Sequence, residues 1–160
     1  MLRQRKRNPE HDEQVRLIKA ARALESAGVE GFDMLYAVPN GGHRNEIVGA
    51  KMKAEGQRAG VPDLCLPVPR NGFHGMYIEM KAGKNKQTPT QREYMEKLMQ
   101  HGYHCVVCYT AQEAMHYMLW YLGTRLHFNV RNALALNGLE APNANASSLT
   151  ALAPNGGANV

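Results

Sequence analysis

No apolar run in this sequence approaches the ~18 residues that a membrane-spanning helix requires, so no membrane segment is expected. The basic stretch Met1 to Asn8 has no apolar segment behind it, which excludes a secretory signal by pattern. Cysteine is scarce. Cys65, Cys105 and Cys108 are an odd set without a regular framework, which argues against a disulfide-stapled secreted domain and for a reducing cytoplasm. Cys105 and Cys108 do form a C-x-x-C, but they flank Val106-Val107 in an apolar run that reads as a strand. Positions three apart on a strand face opposite sides, so they read as structural thiols rather than a zinc or redox pair. The histidines are scattered, with no H-x-x-x-H spacing to suggest a helical zinc site, and no internal repeat is present.

What the sequence has is ordinary globular composition and an excess of positive charge. Its 160 residues correspond to one domain. With 44% hydrophobic and 21% charged residues, the chain can bury a core without staples. The net charge is +5, and the cations cluster: Arg3, Arg5, Lys6 and Arg7 near the start, then Lys81, Lys84 and Lys86 around one turn. Such clusters suit a polyanion such as nucleic acid, although a solvated surface would look the same.

Asn8 and Pro9 open a helix that runs to about Ala27, with Val15, Leu17, Ile18, Ala21, Leu24 and Ala27 as its apolar stripe. Phe32 to Val38 reads as a strand ended by Pro39-Asn40-Gly41-Gly42. A helix follows from Glu46 to Glu55, then a strand from Asp63 to about Val68 and another from His74 to Lys81, paired or adjacent. Thr88-Pro89-Thr90-Gln91 opens a helix to His101 with a capping-box pattern. Tyr103 to Tyr109 is a buried strand, and Thr110 caps a last helix to about Leu122. Tyr94, Met95, Leu98, Met115 and Met118 fall at helical spacing and read as core. The order αβαββαβα implies an α/β fold with a mixed central sheet flanked by helices. Residues 1–8 then form a basic arm, 9–124 the domain and 125–160 an extension. From about Asn137 the extension is rich in Asn, Ala, Gly, Pro and Ser with one charge, Glu140, a composition expected to be disordered.

The chemistry concentrates in Gly60-Val61-Pro62-Asp63-Leu64 and Tyr77-Ile78-Glu79-Met80-Lys81. Glu79 and Lys81, two apart on a strand, share a face, while Ile78 and Met80 point into the core. Strand pairing would bring Asp63 beside Glu79. Two carboxylates so placed repel, and a divalent cation resolves the conflict, with hard oxygen ligands favouring Mg²⁺ or Mn²⁺. Lys81 beside them could orient or help deprotonate a water and stabilise charge on a phosphate. A plain cross-strand salt bridge is the competing reading of the same residues.

Taken in order, the motifs resemble those of the VRR-NUC (virus-type replication-repair nuclease) branch of the PD-(D/E)xK phosphodiesterase superfamily, over roughly residues 10 to 122. The matching text is Ala37-Val38-Pro39-Asn40-Gly41-Gly42 with Arg44, Lys53-Ala54-Glu55-Gly56, Gly60 to Leu64, Tyr77 to Lys81, Thr88 to Gln91, and His101-Gly102-Tyr103 before Val106-Val107. It is most similar to short stand-alone members common in bacteriophages. The resemblance implies a restriction-endonuclease-like core with Asp63, Glu79 and Lys81 at the metal and catalytic centre. It also implies an acidic residue on the first helix four positions before a Gln: Glu10 with Gln14 fits, and Glu13 competes. Gln91 matches the Gln that follows E-x-K, so it contacts the active-site Lys or a phosphate, or only caps its helix. Asn40, Gly41, Gly42 and Arg44 are placed near substrate, where glycine permits close backbone approach and arginine can clamp a phosphate.

The expected activity is thus Mg²⁺- or Mn²⁺-dependent cleavage of DNA, associated with branched DNA such as four-way junctions in replication, recombination or repair, and with homodimers. A catalytically inactive nucleic-acid-binding module and a structural interaction protein, whose charges are mere surface pairs, are the alternatives from other classes.

Overall fold

The computed structural model describes residues 8–39 and 46–143. Helix α1 (Pro9–Ser26) starts where Asn8 accepts from the His11 N–H and Pro9 supplies a preset φ. Its buried stripe is Leu17, Ala20, Ala21 and Leu24, a helical i, i+3, i+4, i+7 series, whereas Val15 and Ala27 are exposed and fall outside it. The expected strand over 32–38 is instead a 3₁₀ turn (Phe32–Met34) and a two-residue strand β1 (Tyr36–Ala37). Gly31 takes a φ of 91° and starts the turn, and Phe32 is driven into the core, which uses up half of the anticipated strand.

After α2 (Glu46–Ala54) come β2 (Leu64–Leu66), β3 (Met76–Met80), α3 (Pro89–Gln100), β4 (His104–Cys108) and α4 (Ala111–Leu122). The four strands lie in the order β1-β2-β3-β4, antiparallel at the first two joints and parallel at the third. The α/β class and the mixed sheet flanked by helices are therefore as the sequence indicates. The rows Leu64–Ile78–Val106 and Met80–Cys108 face α1 and α4, where Ala114, Met115 and Met118 complete the core. The alternate residues Cys65, Tyr77, Glu79, Cys105 and Val107 face the opposite side, toward α3. Cys105 and Cys108 thus point to different faces, and both are free thiols. Burial pushes the Cys105 thiol up to about 12 and raises that of Cys108 as well.

The chain beyond Leu122 is more ordered than its composition suggests. Helix α5 (Phe128–Leu136) packs on α1 and buries Val130, Ala133 and Leu134. The stretch from Asn137, expected to be disordered, continues packed: Leu139 is buried, and the Glu140 N–H donates to Gln112 Oε1 at 2.7 Å. Residues 144–160 lie outside the described residues. No helix among the described residues is long and apolar enough to cross a membrane.

Leu134 has no exposed surface and joins α5 to the core. Replacing it with alanine should cost about 2–5 kcal/mol, as for other large-to-small core changes. Urea denaturation of Leu134→Ala showing no loss of stability would mean that α5 is not part of the folded unit.

Candidate active site

The sheet register places the carboxylates. Leu64 pairs with Ile78 in the antiparallel β2–β3 ladder, so the preceding Asp63 stands opposite Glu79. Both point away from the Leu64–Ile78 core row by strand alternation. Asp63 is held there by its own backbone and side chain. Its carbonyl accepts from the Val38 N–H at 2.8 Å, extending the β1–β2 joint. Its Oδ2 accepts from the Met80 N–H at 2.9 Å, a donor that points toward β2 beyond the last paired residue.

Glu79 has no solvent exposure, and Lys81 is buried beside it. Lys81 Nζ donates to Glu79 Oε1 at 2.6 Å, and Gln91 Nε2 donates to the same oxygen. Gln91 is fixed from the other end: its Oε1 accepts from the Thr88 N–H at 2.8 Å, while Thr88 Oγ1 accepts from the Gln91 N–H at 3.2 Å. The capping box therefore decides which end of the amide faces the sheet, because only the NH₂ group remains for Glu79. Gln91 thus caps its helix as expected, while its contact at the site is with Glu79 rather than with Lys81 or a phosphate. Glu79 Oε2 is left buried without a hydrogen-bond partner among the described residues.

Glu10 and Glu13 separate. Glu13 Oε2 accepts from the Ala111 N–H at 2.6 Å, so this carboxylate holds the N-terminus of α4, where the helix dipole favours a negative charge. Glu10, one turn earlier, opens instead onto a cleft of about 420 Å³ together with Asp63, Gln91, Lys53, Gln57 and Arg58. Glu79 and Lys81 do not line that cleft. Glu79 lies one hydrogen bond behind it, through Gln91, and Lys81 one further, through Glu79. Gly60 on the cleft wall has a φ of +85°, and a Cβ there would come within 2.5 Å of the Thr90 carbonyl oxygen. Glycine is therefore needed for the loop carrying Asp63 to close against the start of α3.

The electrostatics follow from this crowding. Burial pushes the Glu79 carboxyl up to about 7; the Asp63 and Glu10 charges add to the rise, and Lys81 opposes it. Burial also raises Asp63, against the Met80 N–H and Lys81. For Lys81, burial alone would lower the ammonium, but Glu79, Glu10 and Asp63 outweigh it and hold it above its ordinary value.

A divalent cation fits these residues. The unpartnered Glu79 Oε2 and the neighbouring Asp63 are hard oxygen donors in adjacent register. Among the described residues, no three Asp, Glu, His or Cys side chains are gathered closely enough to enclose an ion. Asp63 and Glu79 would therefore hold a cation through two carboxylates at most, a donor number compatible with a hard ion such as Mg²⁺ that keeps several waters.

The remaining expected residues are distributed around this centre or away from it. Lys84 and Lys86 are exposed on the loop after Lys81. Asn40, Gly41, Gly42, His43 and Arg44 lie outside the described residues. His74 is at the far end of β3, edge-on to Tyr103. Lys51 pairs with Glu55 at 3.8 Å on an exposed helix face. Lys53, part of the matching Lys53-Ala54-Glu55-Gly56 and read mainly as a solvated helix face, lies on the cleft wall; Gln57 and Arg58 beside it were not singled out by sequence, where the only signal was a cation between Gly56 and Gly60.

The VRR-NUC domain model matches residues 10–112, well over half of the chain. A solved structure described as a VRR_NUC domain protein aligns with a TM-score of 0.62 and 28% sequence identity, covering 74% of this chain and 92% of that one. No curated protein matches the chain.

The Glu79 carboxyl supplies a pH test. Its folded-state value of about 7 lies above the ordinary 4.5, so the folded protein holds this proton more tightly than the unfolded chain does. The stabilising contribution is complete below about pH 4.5 and is lost as pH rises through about 7. Glu79→Gln is neutral throughout. In EDTA, its melting temperature relative to wild type should therefore climb between pH 5 and pH 8, on top of a constant offset from the altered Lys81 contact. A difference that stays flat with pH would show that Glu79 is not held in this way.

Proposed function

The chain belongs to the VRR-NUC domain family, which makes it a nuclease-type domain, and on that premise we propose that it is a Mg²⁺- or Mn²⁺-dependent deoxyribonuclease. It would hydrolyse phosphodiester bonds in DNA, selectively at branched structures such as four-way junctions, in replication, recombination or repair. The observation that carries this reading is the buried Glu79 carboxylate, with one oxygen clamped by Lys81 and Gln91, the other unpartnered, and Asp63 opposite.

Asp63 and Glu79 are the residues that would hold the cation; Glu10, on the cleft beside Asp63, is added by resemblance, Glu13 being committed to α4. When bound, the cation supplies Lewis acidity toward a phosphoryl oxygen and lowers the pKa of a water. Lys81, held above its ordinary value, stays an ammonium near neutral pH. It would stabilise charge on the phosphate and orient an attacking water. Gln91 is a positioning residue that fixes which Glu79 oxygen is presented. Arg58 and Lys53 on the cleft wall, with Lys84 and Lys86 on the next loop, bind backbone phosphates. Asn40, Gly41, Gly42 and Arg44 are assigned to the same task by resemblance alone. A homodimer would give a four-way junction the two active sites that its two cuts need; sedimentation as a monomer at assay concentration would remove that part.

Labelled junction, flap and duplex DNA, incubated with Mg²⁺, Mn²⁺ or EDTA, tests the reading. Wild type should cut only with metal, and Lys81→Ala should lose about 10²–10³-fold in rate while retaining binding, as when one transition-state charge donor is removed. Equal DNA binding by both proteins with no cutting in any metal would point to the inactive binding module instead.

Gln91→Ala should lose about 1 kcal/mol of stability with its cap and should also slow cleavage. Gln91→Glu restores the cap acceptor but not the donor to Glu79. It should remain slow, and should recover thermal stability only at low pH, where the carboxyl set against Glu79 is protonated. Full recovery of activity by Gln91→Glu would reduce Gln91 to a helix cap.

A further inference from the structure

Beside the cleft that holds Asp63 lies a second depression of about 550 Å³, walled by Val38, Pro39, Met52, Val61 and Tyr94. Its size falls within the ~300–1,000 Å³ typical of small-ligand pockets. The two hollows share Gln57, Arg58 and Val61, so only this ridge divides them. The ridge is braced, since Gln57 Nε2 donates to the Pro39 carbonyl at 2.6 Å. Tyr94 follows Gln91 by three residues on α3, which puts the two on one helix face, one in each hollow. Sequence spacing marked Tyr94 as core, but the buried residue of that turn is Met95, and Tyr94 is only half-buried.

The chemistry of the two hollows is complementary. The first is carboxylate-rich with cations on its wall, as a hydrolytic site for phosphates requires. The second is mainly apolar, with Tyr94 on one wall, Glu55 and Gln57 as its other polar lining, and Arg58 shared with the first. A ligand that spans both is anionic at one end and flat and apolar at the other. A nucleotide in a DNA strand has that form.

We infer that the second depression receives one unstacked nucleobase of the DNA strand whose phosphate lies in the catalytic cleft, with the base against Tyr94 and Arg58 at the junction of base and phosphate. The inference rests on the nuclease reading for the position of that phosphate. It gives a physical source for structure selectivity. A base in plain duplex must first leave its stack, and that cost is least where the nucleotide is already unpaired, at a flap or at the centre of a junction. Stacking on an aromatic side chain is tolerant of base identity, so the selection is for an unpaired nucleotide rather than for a sequence.

The test uses the intact chain in EDTA, so that it does not depend on cleavage. Flap and single-stranded oligonucleotides carrying one 5-iodouracil are irradiated with wild type, and the adduct is mapped by mass spectrometry. The expected adduct is on Tyr94. In parallel, Tyr94→Ala should weaken binding to DNA with unpaired nucleotides by about 5- to 100-fold. Tyr94→Phe should bind like wild type, and affinity for plain duplex should not move in either variant. Adducts only outside this depression, an equal loss on duplex, or flap binding by a folded Tyr94→Ala that matches wild type would each overturn the proposal. Should Tyr94→Ala fail to fold, the wild-type adduct and Tyr94→Phe decide. The failures are separable: a Tyr94 adduct without metal-dependent cutting leaves the base site standing and removes the nuclease. Cutting abolished by Lys81→Ala, with no Tyr94 adduct, removes the base site alone.

Discussion

Glu79 carries a carboxylate at a position with no access to water, and the surrounding arrangement follows from that constraint. An ionised carboxylate in such a place must be paired or take up a proton. Lys81 supplies the countercharge from two residues along the same strand, and Gln91 supplies a donor from α3. Both bond one oxygen, so the other is left without a partner. A buried ion pair of this kind is weak evidence for stability, because desolvation offsets much of the Coulombic gain and apolar residues of similar volume often do better. Under the proposed function, its presence on a central strand is accounted for by what the second oxygen could bind rather than by what the pair adds to folding.

The same constraint reaches outward through the backbone. Glu79 faces α3 because Ile78 and Met80 must face α1 and α4. A one-residue slip in register would bury a carboxylate in the apolar core and expose two core side chains. Asp63 stands opposite because β2 begins immediately after it, and its side chain takes up the backbone donor that the short strand leaves over. The start of α3 must lie close enough for Gln91 to reach the sheet. Gly60 permits this by having no side chain where the Thr90 carbonyl passes. Four segments distant in sequence are thus held to one point by hydrogen bonds in which backbone N–H groups and side chains both take part.

These relations explain what could be read in advance. The shared face of Glu79 and Lys81 follows from strand period alone, and the proximity of Asp63 follows once two strands are recognised as neighbours. The capping box at Thr88 was legible too, because its residue types and spacing are local. The choice between Glu10 and Glu13 was not, since both sit near a helix start and only the docking of α4 distinguishes them. Helix α5 went unread because Val130, Ala133 and Leu134 form a short stripe among asparagines, and its burial depends on α1. The 3₁₀ turn at Phe32 replaced part of a strand for a tertiary reason, the pull of Phe32 into the core. Arg58 was invisible as a site residue because nothing in a single cation announces which cavity it will face.

Under the proposed function, chemistry and selection occupy different kinds of structure in this molecule. Glu79 and Lys81 stand on or at the end of a buried strand, with Asp63 half-buried at the start of its neighbour, where packing and hydrogen bonds leave little freedom to move. The groups placed to meet the rest of a substrate stand on connections and helix surfaces: Gln57 and Arg58 after α2, Lys84 and Lys86 after β3, and Tyr94 on the outer turn of α3. A rigid centre holds carboxylates and a lysine within the small tolerances that hydrolysis demands. Surface connections tolerate exchange of residues, because few core contacts depend on them. Substitutions around Arg58 and Tyr94 should then change which DNA structures are accepted without disturbing the buried carboxylate. Changes at Gly60 or Gln91 should do the reverse, because those two residues set the distance between α3 and the sheet.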